Sequence, residues 1–93
     1  MPSRPRPPGI PRTDWQLVAG IARGEGAALG EFLDVHGEWA LAVARRFVSD
    51  AELAEDAVQE SLIHLVERAD GLLVADSIRP WMYSVIRFRA MEQ

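Results

Sequence analysis

At the centre of the chain lies the segment Ala54-Glu55-Asp56-Ala57-Val58-Gln59-Glu60, whose apolar and acidic residues fall on opposite sides of a helix. At about 100° per residue, each side continues as a stripe into the next turns. The apolar stripe comprises Ala54, Ala57, Val58, Ser61, Leu62 and Leu65. The opposite stripe, called here the acidic face, comprises Glu52, Asp56, Gln59, Glu60 and Glu67, with Ile63 at its centre. The pattern predicts a long amphipathic helix with one core side.

Ile63 distinguishes the acidic face from a helix surface that meets only water. An apolar side chain ringed by carboxylates is typical of a docking surface for a basic partner. Single exposed apolar residues are also common on ordinary protein surfaces. The pattern alone therefore leaves two interpretations open, a docking face and a solvated face.

Capping signals place two helices before this one. Thr13-Asp14-Trp15-Gln16 is a capping box that opens a first helix, which runs to about Arg23 and ends at Gly24. A second helix is predicted from about Gly26 to Phe47, because apolar residues recur there at spacings of three and four. Its predicted buried stripe is Leu29, Phe32, Leu33, His36, Trp39, Ala40, Val43 and Phe47. On this stripe, His36 is predicted to be a hydrogen-bonded core histidine.

The central helix is predicted to begin at a second capping box, Ser49-Asp50-Ala51-Glu52, and to end near Ala69. Residues 70–77 are predicted as a loop. A fourth helix follows from about Ser77 to the end of the chain, with Pro80 tolerated in its first turn. Its predicted core residues are Ile78, Trp81, Met82, Val85 and Phe88. The tryptophans at 15, 39 and 81 are all predicted to pack in the core. The fold class is all-α, a compact bundle of about four helices.

Residues 1–12 differ in composition from the rest of the chain. They hold five of the six prolines and three arginines without an acid. Proline disfavours helix and lacks a backbone donor, so this segment is predicted to be a disordered tail. Two interpretations stay open, a leader without a role and a basic arm that touches nucleic acid or a partner. The predicted domain is therefore residues 13–93.

The predicted fourth helix carries a basic stripe formed by Arg79, Tyr83 and Arg87, spaced four residues apart. Arginines with an interleaved aromatic can pair with phosphates and stack on unpaired bases. A solvated helix face with an amphipathic tyrosine is the alternative interpretation. The stripe is one candidate nucleic-acid site, and the basic arm of residues 1–12 is another.

Charge limits what such a site can do alone. Residues 13–93 carry seven arginines and fourteen acidic residues, whereas dedicated duplex-DNA binders are usually basic. General electrostatics therefore excludes tight DNA binding by this domain without a partner. All ten basic residues are arginine, which we attribute to codon bias.

No pattern in the chain predicts catalysis, a metal or a cofactor. There is no cysteine, which excludes disulfides and thiolate metal sites. Glu60 and His64 are four residues apart, whereas the di-iron pattern needs Glu-x-x-His on two helices. The zinc-protease motif His-Glu-x-x-His is also missing. Gly24-Glu25-Gly26 is a turn rather than a phosphate loop. We therefore predict a non-enzyme without cofactors.

The longest apolar run, Trp39 to Ala44, is far shorter than the ~20 residues of a membrane span. The basic N-terminus has no apolar segment behind it and so does not resemble a secretory signal. These features predict a soluble, cytoplasmic protein without membrane contact.

Taken in order, the motifs resemble region 2 of bacterial RNA polymerase sigma factors, above all the extracytoplasmic-function group. The central pattern Ala-Glu-Asp-(apolar)-Val-Gln-Glu stands about twenty residues before Pro80-Trp81-Met82-Tyr83. Asp14-Trp15-Gln16-Leu17-Val18 and Ala27-Ala28-Leu29 are similar to that group's opening helices, and Arg45 and Asp50 fit its middle. The resemblance covers almost the whole chain after the tail.

The resemblance implies a transcription initiation domain with two contact surfaces. The acidic face would dock on the clamp helices of the β′ subunit of core RNA polymerase. Carried over by position, its contacts are Asp56, Gln59, Glu60 and Ile63, with Glu52 and Glu67 at the rim. Arg79, Tyr83 and Arg87 would meet the non-template strand of the melted promoter −10 element, and the loop at 71–77 would edge a pocket for a flipped base. An anti-sigma factor is a further partner of such proteins.

Two features depart from the family pattern. Phe88 stands where the family usually has asparagine, which puts base-specific readout from this position in doubt because a phenyl ring cannot read a base edge. The second domain of the family, a helix-turn-helix that reads the −35 element, does not follow Gln93. We therefore expect an excised domain or a truncated member.

Two other functions fit the sequence. One is a stand-alone helical regulator that binds polymerase or an anti-sigma factor without initiating transcription. The other is a structural helical domain unrelated to transcription, which would have no affinity for polymerase.

Overall fold

Four α-helices account for most of residues 12–72 and 76–92, the part of the chain that the computed structural model describes. They are α1 (Asp14–Ala22), α2 (Gly26–Phe47), α3 (Ala51–Arg68) and α4 (Arg79–Met91), with a short 3-10 turn at Ala69–Gly71 after α3. The described residues contain no strand. The prediction of an all-α bundle of about four helices is confirmed. Residues 1–11 of the predicted tail and 73–75 of the predicted loop lie outside the described residues.

The predicted boundaries of α1 follow from its capping groups. The Gln16 N–H donates to the Thr13 hydroxyl at 3.2 Å, and the Thr13 N–H donates to the Gln16 side-chain oxygen at 2.9 Å, which is the reciprocal bonding of a capping box. After α1 the chain turns at Gly24, whose φ of 81° suits a residue without a Cβ. The turn is short, since α2 already begins at Gly26, and α2 packs against α1.

The starts of α3 and α4 differ from the prediction by one or two residues. Asp50, rather than Ser49, caps α3, since its carboxylate accepts the Leu53 N–H at 3.0 Å. The first residue of α4 is Arg79, whose N–H donates to the Ser77 hydroxyl at 3.1 Å. Pro80 lies in the first turn of α4, as predicted.

The core lies where α2 packs against the other three helices and α3 packs against α4. Its largest fully buried side chains are Phe32, Leu17, Leu65, Ile78, Met82, Ile86 and Ser61. The predicted apolar stripe of α3 is confirmed, because its six residues are buried or partly buried. The buried Ser61 hydroxyl has a hydrogen-bond partner, because it donates to the Ala57 carbonyl at 2.7 Å.

Three predicted core residues lie outside the core. Trp15 is 60% exposed, because Leu17, Val18 and Ile21 set the buried stripe of α1 and Trp15 lies about a third of a turn away. Leu33 is exposed on α2, because the neighbouring turns bury Phe32 and His36 and Leu33 lies to one side of them. Phe88 is 62% exposed on α4. Trp39 and Trp81, by contrast, are partly buried against the core.

Arg12, the last residue of the predicted tail, is tied to the bundle. Its guanidinium pairs with Glu31 on α2 at 3.0 Å and with Glu25 in the preceding turn at 3.2 Å. Hydrogen bonds from Arg12, and then from Arg23, lower the pKa of the Glu25 carboxyl. Arg12 therefore contacts the helical part of the chain, although the sequence assigned it to the tail.

Candidate functional site

The outer side of α3 presents the acidic face to solvent. All of its predicted residues are exposed, namely Glu52, Asp56, Gln59, Glu60, Ile63 and Glu67. Ile63 is 60% exposed although it is fully aliphatic. The opposite side of α3 is buried through Ala54, Ala57, Ser61 and Leu65. The helix is thereby fixed with its carboxylates pointing outward.

Sequence reasoning missed Val66 on this face. It is 47% exposed and stands one turn after Ile63, so that the two form an apolar pair within the carboxylates. The helical spacing of three was the signal that could have found it. The pair makes the apolar centre of the acidic face larger than a single isoleucine. α3 as a whole carries five acidic residues and one arginine.

The three predicted DNA-binding residues of α4 do not share one environment. Residues four apart on a helix drift by about 40° at each step. Arg79 therefore begins at the edge of the core and is partly buried, Tyr83 lies at its border, and Arg87 faces solvent. The core side of α4 is centred on Met82, Ile86 and Ala90. The predicted stripe is thus a spiral that leaves the core.

Arg79 takes part in a hydrogen-bonded chain between three helices. Its Nε–H donates to Nδ1 of buried His36 at 3.1 Å, and the other ring nitrogen of His36 lies 2.7 Å from a carboxylate oxygen of Asp14. Arginine can only donate, so Nδ1 accepts and the His36 proton resides on Nε2. Asp14 therefore accepts a hydrogen bond from the Nε2–H of His36. The prediction of a satisfied core histidine is confirmed.

Asp14 also holds the start of α4. Its second carboxylate oxygen accepts the Ile78 N–H at 2.9 Å, one of the backbone donors that a helix start leaves without a partner. The Arg79 guanidinium in turn lies over the Trp39 ring, with Cζ 4.8 Å from the centroid. Asp14, His36 and Arg79 together fasten α4 to α1 and α2. The arginine predicted to meet DNA therefore has a structural part as well.

The rest of the outer α4 surface combines aromatic, basic and thioether groups. Tyr83 packs edge-on against Phe47, with ring centroids 6.0 Å apart. Arg87 makes no hydrogen bond or ion pair with any described residue. A shallow groove on this surface is lined by Tyr83, Ser84, Arg87, Phe88, Met91 and Glu92. Within its bounds α4 carries three arginines and no acid, the opposite charge to α3.

His64 is engaged by an aromatic partner. Its ring stacks on Trp81 with an interplanar angle of 5° and a centroid distance of 5.6 Å.

Among residues 12–72 and 76–92, no three histidine, aspartate or glutamate side chains stand together as a metal site. No described helix is long and apolar enough to cross a membrane.

Residues 32–93, which include α3, α4 and most of α2, match the family model of Sigma-70 region 2. The chain belongs to the Sigma-70 region 2 family. No curated protein and no solved structure matches it. Region 2 domains bind core RNA polymerase and recognise the promoter −10 element, and the family is one of transcription factors rather than enzymes. The predicted family is confirmed, and with it the general kind of partner.

Proposed function

We propose that this chain is a region 2 domain of the extracytoplasmic-function group, which docks on the clamp helices of the polymerase β′ subunit through its acidic face. In the same proposal, α4 and the loop before it hold the melted non-template strand of the −10 element. The proposal implies a cytoplasmic protein, because bacterial transcription takes place there. It carries no catalytic step and needs no cofactor.

One observation carries the polymerase part of the proposal, the exposed apolar pair within the acidic face. Ile63 and Val66 offer a centre that can be buried, and the carboxylates around them suit the rim of an interface with a basic partner. Energetic hot spots tend to lie at such a centre and are shielded from water by a surrounding rim. The six predicted contact residues are all available to a partner without rearrangement.

The DNA part of the proposal is supported by the charge of α4 and by Arg87. Arg87 faces solvent and keeps its full hydrogen-bonding capacity for a phosphate. Tyr83, one turn before it, is 36% exposed. Arg79 can meet DNA only with the part of its guanidinium that His36 and Trp39 leave accessible. We therefore assign the main phosphate contact to Arg87 and a supporting one to Arg79.

The opposite charges of the two helices explain how a domain of net charge −4 can act on DNA. Its overall charge repels nucleic acid, so affinity has to come from polymerase. The acidic face supplies that affinity, and α4 then meets a strand that polymerase has already brought near. A regulator that only occupied polymerase would need the first surface and not the second.

The test is binding of the chain to purified core RNA polymerase, compared with Ile63→Asp. We expect the parent to bind and the variant to lose about 30-fold or more in affinity, the effect of losing a hot spot of about 2 kcal/mol. Val35→Asp is the matched control, because Val35 is a similarly exposed aliphatic residue on α2 and the charge change is the same. Circular dichroism checks that both variants keep their helices. A folded parent without affinity for polymerase would refute the proposal.

A further inference from the structure

The solvent side of α4 carries more apolar surface than a helix in water needs. Phe88 is exposed, and so is Met91, less than a turn further on. The core side of the helix is already filled by Met82, Ile86 and Ala90. Phe88 lies almost opposite these residues, so no rotation of its side chain brings it into the core. A contiguous exposed patch of this kind is more informative than one exposed residue.

The groove beside Phe88 has the chemistry of a nucleotide site. Arg87 lines it without a counter-ion among the described residues, whereas the Glu92 carboxylate pairs with Arg89 at 3.4 Å. Arg89 also lies against the Phe88 ring, with Cζ 5.8 Å from the centroid. The groove therefore offers an aromatic face, a thioether and one uncompensated cation. A flat ligand with a negative charge beside it fits this combination, and an unpaired nucleotide is such a ligand.

We infer that Phe88 is a stacking platform for one unpaired base of the opened promoter strand, with Arg87 on a neighbouring phosphate. The inference rests on the proposed function of α4 and adds to it a residue and a mode of recognition. An apolar helix of a protein partner is a poorer occupant, because it would leave the Arg87 charge buried without a partner.

The identity of residue 88 has a consequence for specificity. An asparagine amide, the usual group here in sequences that this chain resembles, offers both a donor and an acceptor to a base edge. A phenyl ring offers neither, and stacking tolerates every base because each has a π face. Phe88 therefore contributes affinity at its position without selecting a base. The domain is more tolerant at that nucleotide than one with asparagine.

The test uses the complex of this chain with core RNA polymerase and a labelled single-stranded DNA 12-mer, chosen by selecting a random pool on the parent complex. Phe88→Leu keeps an apolar side chain but removes the ring, and we expect it to weaken DNA binding about 5- to 150-fold. Phe88→Trp is expected to keep the parent affinity. Leu33→Ala is the control, an exposed apolar residue on α2.

An abasic scan then locates the stacked base. At one position, removal of the base should weaken the parent about 5- to 150-fold and leave Phe88→Leu unchanged. All four bases at that position should bind the parent within about threefold of one another. A marked preference for one base there would overturn the inference, and so would parent-like affinity of Phe88→Leu. A parent complex that forms but binds no single strand would overturn the DNA part of the proposed function, and the stacking role with it.

Discussion

The outer faces of α3 and α4 both combine exposed apolar residues with charged ones, but the two faces carry opposite charge. Each is a helix surface with exposed apolar residues among charged ones, Ile63 and Val66 on α3 and Phe88 and Met91 on α4. The charged groups are carboxylates on the first and guanidinium groups on the second. The domain thereby presents two separate surfaces of opposite charge, and we propose that a protein partner meets the first and a nucleic acid the second.

The two helices differ in how firmly the sequence determines which side is buried. On α3 the acidic residues avoid the apolar stripe, so only one orientation is compatible with a core. On α4 large apolar residues cover more than half of the helix circumference, at Trp81, Met82, Val85, Ile86, Phe88 and Met91. Contacts with the other helices then determine which side of α4 faces the core. The Asp14–His36–Arg79 chain is one such contact, since it requires Arg79 to face inward.

The largest expected effect tests the phase of α4. Ile86→Ala should lower the free energy of unfolding by about 2–5 kcal/mol, because it removes most of a fully buried side chain. Phe88→Ala should change it by less than about 0.5 kcal/mol, because the ring is exposed. Urea denaturation followed by circular dichroism measures both. Equal losses in the two variants would mean that Phe88 packs in the core.

The next effect tests the chain that fixes this phase. Asp14→Ala should lower the free energy of unfolding by about 1–3 kcal/mol, because the Ile78 N–H and the His36 Nε2–H lose their acceptor. Asp34→Ala is the matched control, since Asp34 is exposed on α2 and the charge change is identical. Thermal or urea unfolding of the two variants gives the comparison. A loss no larger than that of the control would show that Asp14 is dispensable for α4.

The sequence predicted the four helices, the α1 capping box and every residue of the acidic face except Val66, because these depend on local bonding and on strict amphipathic spacing. The predicted burial of Phe88 was wrong, because apolar residues on several sides of α4 leave its buried side to be determined by tertiary contacts. The burial of Trp15 was also wrong, since a large apolar residue at a helix start is not forced into the core. The chain through His36 joins residues 14, 36 and 79, and no local pattern relates positions so far apart.

The third prediction compares Arg79 and Arg87, the first and last residues of the predicted basic stripe. Arg79→Ala should lower the free energy of unfolding by about 1–2 kcal/mol, because it removes a hydrogen bond to His36 and a cation–π contact with Trp39. Arg87→Ala removes the same charge but should leave stability unchanged within about 0.5 kcal/mol.

DNA binding gives the complementary readout for this pair. Arg87→Ala should reduce the slope of log affinity against log salt for a single strand by about 0.7, the contribution of one phosphate contact. The measurement is a salt titration of the polymerase complex on the DNA 12-mer. An unchanged slope would remove Arg87 from the DNA surface and leave α4 without its principal phosphate contact.

The smallest effect concerns the rim of the acidic face. Glu67→Gln should weaken polymerase binding by less than about 1 kcal/mol and act mainly on the association rate, because exposed rim charges steer encounter more than they hold a complex. The effect should fade as salt rises. Glu38→Gln, on the exposed side of α2, is the control with the same charge change. Association and dissociation rates at low and high salt provide the measurement. If Glu67→Gln instead raised the dissociation rate at every salt concentration, Glu67 would belong with Ile63 at the buried centre, and the interface would extend further along α3 than the apolar pair indicates.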